Sequence, residues 1–320
     1  MENRPVFTIV VPFYNPGDLI ENSIESLNNL LNKNFNVVFV DDGTDVEKDK
    51  IYKLIQQKSL FEYKIITQEN CGIGVARNTG LQNANGEWLI FLDCDDSISP
   101  STLDDYLTVI SRNDQINFAF SDFSLVSISN IQKHLAQENF SYDIYSRDEI
   151  VQSFLRRKNR ILTPGTVYRK SFLEKNNLIF KPIRWSEDQL FIWECIFNSA
   201  VVAYVKLPLY NYLTNVSTSI MASTKVDVMI ESFKYFEEIG KQSPYKSTRK
   251  YLFARWLLGT LHTLAVRDDY EGFEKVFIKM SARKFLNKLI TFPDFKVKIL
   301  AFYNFLFRKR AFFKLLRRAK

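Results

Sequence analysis

Histidine is almost missing from this chain. Only His134 and His262 occur in 320 residues, which excludes a histidine-rich zinc site and argues against a Ser-His-Asp triad. Cysteine is scarce too. Cys71, Cys94 and Cys195 are odd in number and lack metal-ligand spacing, a pattern that argues against a disulfide scaffold and fits a reducing compartment. No run of about 18 uncharged apolar residues occurs, so no transmembrane helix is expected. The opening MENRPVFTIV has no signal-peptide stretch behind a basic start.

What is present describes a globular protein. Hydrophobic residues make up 46% and charged residues 25% of the chain, enough for a core in two domains or in one large domain with an appendage. The net charge is +7, but it is unevenly placed. The last stretch, RKRAFFKLLRRAK from Arg308 to Lys320, holds seven Lys and Arg and no acid; setting it aside leaves 36 basic against 36 acidic residues. A neutral body with a basic, aromatic tail points to an anionic membrane surface rather than to nucleic acid.

The first half alternates strand and helix signals. VFTIVVPFY, NVVFVDDG, YKIITQEN and WLIFLD are strand-like runs, and helical patterns lie between them. Continuous apolar strands separated by helices indicate a mostly parallel sheet covered on both faces. NFAFSDF and VVAYVKLPLYNYL read as further strands, and KPIRWSEDQLFIWECIF enters a helix at about Ser186. Past about Ser223 amphipathic helices dominate, with a polar break at GKQSPYKSTRK.

Each early strand ends in polar residues: Tyr14-Asn15, Asp41-Asp42, Gln68-Glu69-Asn70, and Asp93 to Asp96. Ligands bind outside the carboxyl ends of strands in open α/β sheets, so these loops converge on one expected site. Asp93, Asp95 and Asp96 repel one another unless a cation sits among them, and a hard divalent ion with oxygen ligands is the simplest remedy. A solvated turn, with Pro100 opening the next helix, is the bland alternative for that stretch alone.

Five segments, IVVPFYN, VVFVDDGTD, NCGIGVARNTGL, GEWLIFLDCDDSISP and WSEDQLF, occur in the order found in family 2 glycosyltransferases with the GT-A fold. The chain resembles that family over roughly residues 5 to 220. The resemblance implies an α/β, GT-A fold, Rossmann-like with a mostly parallel sheet flanked by helices, over 1–222. Residues 1–96 would form the nucleotide-binding half, 97–222 the acceptor half, and 223–320 a helical C-terminal region. It implies that Pro12 and Tyr14, in the loop after the first strand, pack along the nucleotide base. Asp42 would accept the uracil N–H with Asp41 as its neighbour, and Arg77 would lie near the base and diphosphate. Asp93 and Asp95 match the Asp-x-Asp signature that holds Mn²⁺ or Mg²⁺, with Asp95 the more direct ligand and Asp96 supporting. Asp188 matches the catalytic base of inverting members, next to Glu187. Trp185, just before Ser186-Glu187-Asp188, is the candidate for stacking on an acceptor ring.

The family often follows its Tyr-x-Tyr with Arg or His, whereas here Leu213 follows Tyr210-Asn211-Tyr212. If that position serves the diphosphate in the family, the role falls here to Arg184 or Lys181. Rival motif readings fare worse. An Asp-nucleophile phosphatase places its acids after the first strand, and here three strands come first. A dinucleotide loop fails because Arg77 stands where the third glycine belongs. A calcium loop lacks glycine at its sixth position. A non-catalytic nucleotide-sugar or glycan binding module is the alternative from another class. The expectation is a cytoplasmic enzyme, peripheral on the inner membrane face, that moves a sugar from a UDP-sugar to a glycan or lipid-linked oligosaccharide in bacterial capsule, exopolysaccharide or wall-glycan synthesis. The tail would bind anionic lipid through an apolar helix face of Ala311, Phe312, Leu315, Leu316 and Ala319, with Arg310, Lys314, Arg317 and Arg318 opposite.

Overall fold

The computed structural model describes residues 5–127, 140–155, 158–214, 225–242, 246–282, 286 and 309–318. His134, Ala319 and the segment KILAFYNFLF lie outside the described residues. Two compact units emerge: Met1–Ile150, Arg160–Pro182 and Glu187–Val216 form the first, and Val151–Asn159, Ile183–Ser186 and Ser217–Lys320 the second. The main division falls a few residues before the boundary expected after residue 222, and the second unit also takes in two short segments from earlier in the chain.

The first unit begins with β1 (Phe7–Phe13), α1 (Ile20–Asn28), β2 (Phe35–Asp41), α2 (Lys48–Lys58), β3 (Tyr63–Thr67), α3 (Ile73–Asn83) and β4 (Trp88–Phe91). Every residue of β1, β2 and β4 is buried. That is why their sequences are mostly apolar rather than alternating, the buried Thr8 and Asn36 being hydrogen-bonded to each other. Each fully buried Val, Ile, Leu or Phe contributes roughly 1.5–3 kcal/mol. The strands run in the order β3-β2-β1-β4, all parallel. The chain reverses direction across the sheet between β1 and β4, the switch point where α/β sheets open a crevice. α3 lies on β1 and comes close because Gly80 has no side chain: a Cβ there would meet Val10 Cγ1 at 2.1 Å.

Pro12 belongs to β1 and not to the loop beyond it, and it is buried opposite Val40. The β1–β4 ladder covers only Phe7 to Val10. Pro12 therefore sits where that side of β1 has no strand partner, the place where a strand tolerates a missing N–H.

Past β4 the sheet is mixed. It continues through β5 (Ser97–Ile98), α4 (Thr102–Ile110), β6 (Ile116–Val126), β7 (Tyr142–Ser146), α5 (Arg147–Leu155), β8 (Val167–Arg169), α6 (Lys170–Lys175), α7 (Glu187–Asn198) and β9 (Val201–Leu213). β8 pairs antiparallel with β4 and β6, β9 runs parallel to β6, and β5 and β7 pair antiparallel with β9. The parallel half follows the hydrophobic pattern, whereas β5 and β8 are too short to show one. The 13-residue β9 carries Pro208 at a register shift against β6, where the ladder is already interrupted. β5 follows β4 by six residues, yet it lies at the far end of the strand order, beyond β9. The loop with the three carboxylates therefore joins the parallel half to the mixed half.

The second unit contains helices Val226–Gln242, Lys246–Val266, Tyr270–Lys279 and Lys309–Arg318. Asp269 caps the third, accepting from the Gly272 N–H at 2.8 Å. The tail helix corrects one expectation. Phe312, Phe313 and Leu316 are buried, and the two rings pack edge-on against Phe273 at 6.3 and 5.1 Å. Ala311 is exposed instead. Phe312 and Leu316 of the face expected to meet lipid are thus buried, Phe312 against the protein's own Phe273 and Phe277, because burying an aromatic ring in a core outweighs leaving it in water. Arg310, Lys314, Arg317 and Arg318 remain on the exposed side. Among the described residues no helix is long and apolar enough to cross a membrane.

Candidate active site

The loops after β1 and β2 are held together before any ligand arrives. Asn15 adopts a left-handed backbone, φ 45°, and its side-chain oxygen accepts from the Asp45 and Val46 N–H groups at 3.1 and 3.0 Å. This fixes the turn and leaves the adjacent Tyr14 ring 48% exposed at the crevice. Asp41 is buried and fully occupied. It accepts from the Thr44 N–H and the Tyr52 hydroxyl, both at 2.7 Å, and pairs with Lys48 at 3.3 Å. Burial alone would raise its pKa, but these donors bring it below the usual value. Asp41 therefore braces the loop.

Asp42 accepts from Gln68 Nε2 at 2.7 Å and from the Cys71 and Gly72 N–H groups at 2.9 and 2.8 Å. A carboxylate offers about four acceptor positions, and three are taken here. The same carboxylate fixes the entry to α3.

The loop after β4 carries the acids. Burial, then Asp93, raises the Asp95 carboxyl. Burial also pushes Asp96 up to about 8, with Asp93 and Asp95 adding to the effect. Asp96 accepts from the Tyr210 hydroxyl and, at 2.7 Å, from the Leu213 N–H. It thereby ties the acid loop to the end of β9. Leu213 contributes its backbone here; its side chain is in the core, so it does no work on a diphosphate. The Tyr210 ring needs Gly165 beside it. Gly165 has φ 76°, and a Cβ there would sit 2.6 Å from Tyr210 Cδ2.

Arg77 is 2% exposed and lies under the site rather than in it. Its Nη2 donates to Asp93 Oδ1 at 2.7 Å, its Nη1 to Glu187 Oε1 at 3.4 Å, and its guanidinium stacks on Phe180 at 5.3 Å. Burial works against its charge, yet the two carboxylates hold its pKa above the ordinary value. Arg77 was expected near base and diphosphate; its charged fork is already spent on two acids.

Glu187 and Asp188 open α7. Ser186 just before them is left-handed, φ 57°, a strained backbone of the kind that recurs at functional sites. Burial pushes Glu187 up to about 7, with Asp188 adding and Arg77 opposing. Asp188 is likewise raised by burial, against the pull of Arg77. Its backbone carbonyl accepts from Thr163 Oγ1 at 3.2 Å. Of the two, Glu187 is tethered by Arg77, which leaves Asp188 the freer carboxylate.

Trp185 is not open to a sugar. It is 7% exposed in the second unit, with its N–H 3.4 Å from Thr260 Oγ1 and the Arg267 guanidinium over its ring at 5.8 Å. Its neighbours along the chain gave no sign of this, since it belongs to a different unit from Glu187. Lys181 is paired with Glu194 at 3.2 Å. Tyr212, which the sequence shows only as the second tyrosine of the Tyr-x-Tyr and without a role, is exposed on β9 beside the acid loop; only the strand pairing brings it there.

Among the described residues no three His, Cys, Asp or Glu side chains converge into a ready-made metal cage. A divalent ion such as Mg²⁺, however, is commonly held by one or two carboxylates together with substrate phosphates and water. Asp93 and Asp95 supply that donor type, and Asp95 and Asp96, raised first by burial and then by the neighbouring carboxylates, are acids that a bound cation would help to ionise. The residues present fit such an ion.

A parallel nucleotide-fold half joined through an acid-bearing loop to a mixed half is the GT-A architecture. The model of glycosyl transferase family 2 matches residues 8–178, over half of the chain, and the chain belongs to that family. It is 30% identical over 231 residues to EpsH of Bacillus subtilis, a relative named as a glycosyltransferase, across 69% of this chain and 64% of EpsH. It is 26% identical over 223 residues to the poly(ribitol-phosphate) beta-N-acetylglucosaminyltransferase TarS of Staphylococcus aureus, across 69% of this chain and 37% of TarS. The chain thus spans less than two thirds of either relative. The crystal structure of TarS 1–349 in complex with UDP-GlcNAc shares the fold, with a TM-score of 0.65 at 19% identity over 98% of this chain and 89% of that one.

Proposed function

We propose that the chain is an inverting glycosyltransferase that moves a sugar from a UDP-sugar to a hydroxyl of a glycan. The observation that carries this reading is the Arg77 bridge, which holds Asp93 of the acid loop and Glu187 at the head of α7 on one guanidinium. It fixes two acid groups with different duties at a set separation. The exposed Tyr14 ring would lie along the base, and the remaining acceptor position of Asp42 would take the uracil N–H. Asp95, with Asp93, would hold Mn²⁺ or Mg²⁺, which supplies neutralisation of the charge growing on the departing diphosphate. Asp188 takes the proton from the attacking hydroxyl; its raised pKa brings it closer to working pH than an ordinary Asp. Glu187 and Arg77 position it.

Attack from the face opposite the leaving diphosphate inverts the sugar's configuration. The poly(ribitol-phosphate) acceptor in the name of TarS supports a polymeric acceptor; in this reading that acceptor is a cell-wall, capsule or exopolysaccharide glycan, lipid-linked and met at the inner membrane face. Attachment there would be electrostatic, through Arg310, Lys314 and Arg318, since the apolar face of their helix is buried. The test is a donor screen: UDP-, GDP- and dTDP-sugars incubated with Mg²⁺ or Mn²⁺, followed by nucleotide release. Release from a UDP-sugar above all others supports the reading; no release from any donor makes the chain a binding module.

A further inference from the structure

We infer that Tyr212, with Leu125 beside it, is the platform on which the acceptor sugar lies, an assignment that rests on the transferase reading of the site. Tyr212 is on β9 two residues after Tyr210, so both side chains leave the strand on the same face. The Tyr210 hydroxyl bonds Asp96, and the Leu213 N–H bonds the same carboxylate at 2.7 Å. Tyr212 is therefore held at the edge of the acid loop. Leu125 is its register partner on β6, on the same face. Tyr210 is buried, whereas Tyr212 is 38% and Leu125 66% exposed.

Burial, then Asp96, Asp93 and Asp95, and last Asp188, raise the Tyr212 hydroxyl, in keeping with its place beside the acid loop. A pyranose has an apolar C–H face and a rim of hydroxyls. An aromatic ring takes the first, and carboxylates accept from the second. An exposed tyrosine flanked by an exposed leucine offers the apolar part, and the acids offer the polar part. The nucleotide end belongs to the loops after β1 and β2, while Tyr212 and Leu125 are in the mixed half of the sheet. That separation assigns them to the acceptor. It also gives the acceptor an aromatic platform that the buried Trp185 does not provide.

The test is saturation-transfer NMR on the full chain with UDP and Mg²⁺, using the methyl β-glycosides of glucose, galactose and N-acetylglucosamine as probes. Wild type should transfer saturation to the ring C–H protons of at least one glycoside. Tyr212→Ala should weaken glycoside binding roughly tenfold, the size expected when one stacking ring is removed. Tyr212→Phe should keep it, and Leu125→Ser should weaken it in the same direction. UDP affinity by calorimetry should be unchanged in all three, which establishes that the donor end is intact. The inference is overturned if no glycoside binds wild type, or if binding survives Tyr212→Ala and Leu125→Ser undiminished. If UDP does not bind wild type, the donor reading falls, and the glycoside comparison still decides the fate of Tyr212.

Discussion

Arg77 Nη2 lies 2.7 Å from Asp93 Oδ1, although 16 residues separate the two along the chain and β4 intervenes. The same guanidinium reaches Glu187, 110 residues away. One buried cation thus sets the spacing between the acid loop and the head of α7.

Breaking that link leaves two partly buried acids without the buried cation they share. Arg77→Met should destabilise the fold by about 3–5 kcal/mol, the usual effect of removing one member of a buried ion pair. Arg77→Lys should recover part of the stability and less of the activity, because an ammonium lacks the planar fork that serves two carboxylates. Urea unfolding alongside nucleotide release checks this, and equal stability of Arg77→Met and wild type would remove Arg77 from its bridging role.

Stability without divalent ions should fall as pH rises. Glu187 titrates at about 7 in the folded chain, against about 4.3 for an unperturbed Glu. The folded state therefore binds the proton more tightly. The stability this gives is complete below the unfolded pKa and is lost as pH climbs through about 7. Glu187→Gln mimics the protonated form and should flatten the dependence. Melting temperatures in EDTA between about pH 5 and 8 decide it; parallel curves for the two proteins would mean that Glu187 does not titrate in that range.

Asp42 should act on the nucleoside more than on the phosphates. Asp42→Ala is expected to weaken UDP much more than pyrophosphate, both measured by calorimetry. Because the same carboxylate holds the Cys71 and Gly72 N–H groups, the variant should also exchange those amides faster. Equal losses for both ligands would place Asp42 away from the base.

The tail helix should behave as part of a core. Phe312 is buried against Phe273 and Phe277, so Phe312→Ala should cost about 3–5 kcal/mol. Neutralising Lys314 and Arg318 should leave stability nearly unchanged and reduce sedimentation with anionic vesicles at low salt. A Phe312→Ala variant as stable as wild type would return the apolar face to the solvent or the membrane.

The acid loop was legible because a buried strand, Trp88 to Phe91, runs straight into three carboxylates, and nothing in turn chemistry explains four such strand ends together. Glu187 and Asp188 were legible through their place in a recognisable segment. What those residues touch was not legible. The partners of Arg77 lie 16 and 110 residues further along the chain, and a buried guanidinium and a ligand-binding one look alike in sequence. Trp185 was misplaced for a related reason: proximity to Glu187 along the chain said nothing about the helix of the second unit that covers its ring. Tyr212 was visible in the Tyr-x-Tyr but carried no role, because its exposure depends on how β9 pairs with β5 and β6. The tail's alternation of Phe and Arg gives the same pattern for a lipid surface as for an intramolecular core.

The most direct test of the account is UDP release from the preferred UDP-sugar by Asp188→Asn, set beside its UDP affinity by calorimetry. Loss of a positioned general base should slow release by about 10²–10⁴, with UDP affinity within error of wild type. Glu187→Gln should retain more activity than Asp188→Asn. Wild-type release by Asp188→Asn, or inactivity confined to Glu187→Gln, would contradict the assignment of the base.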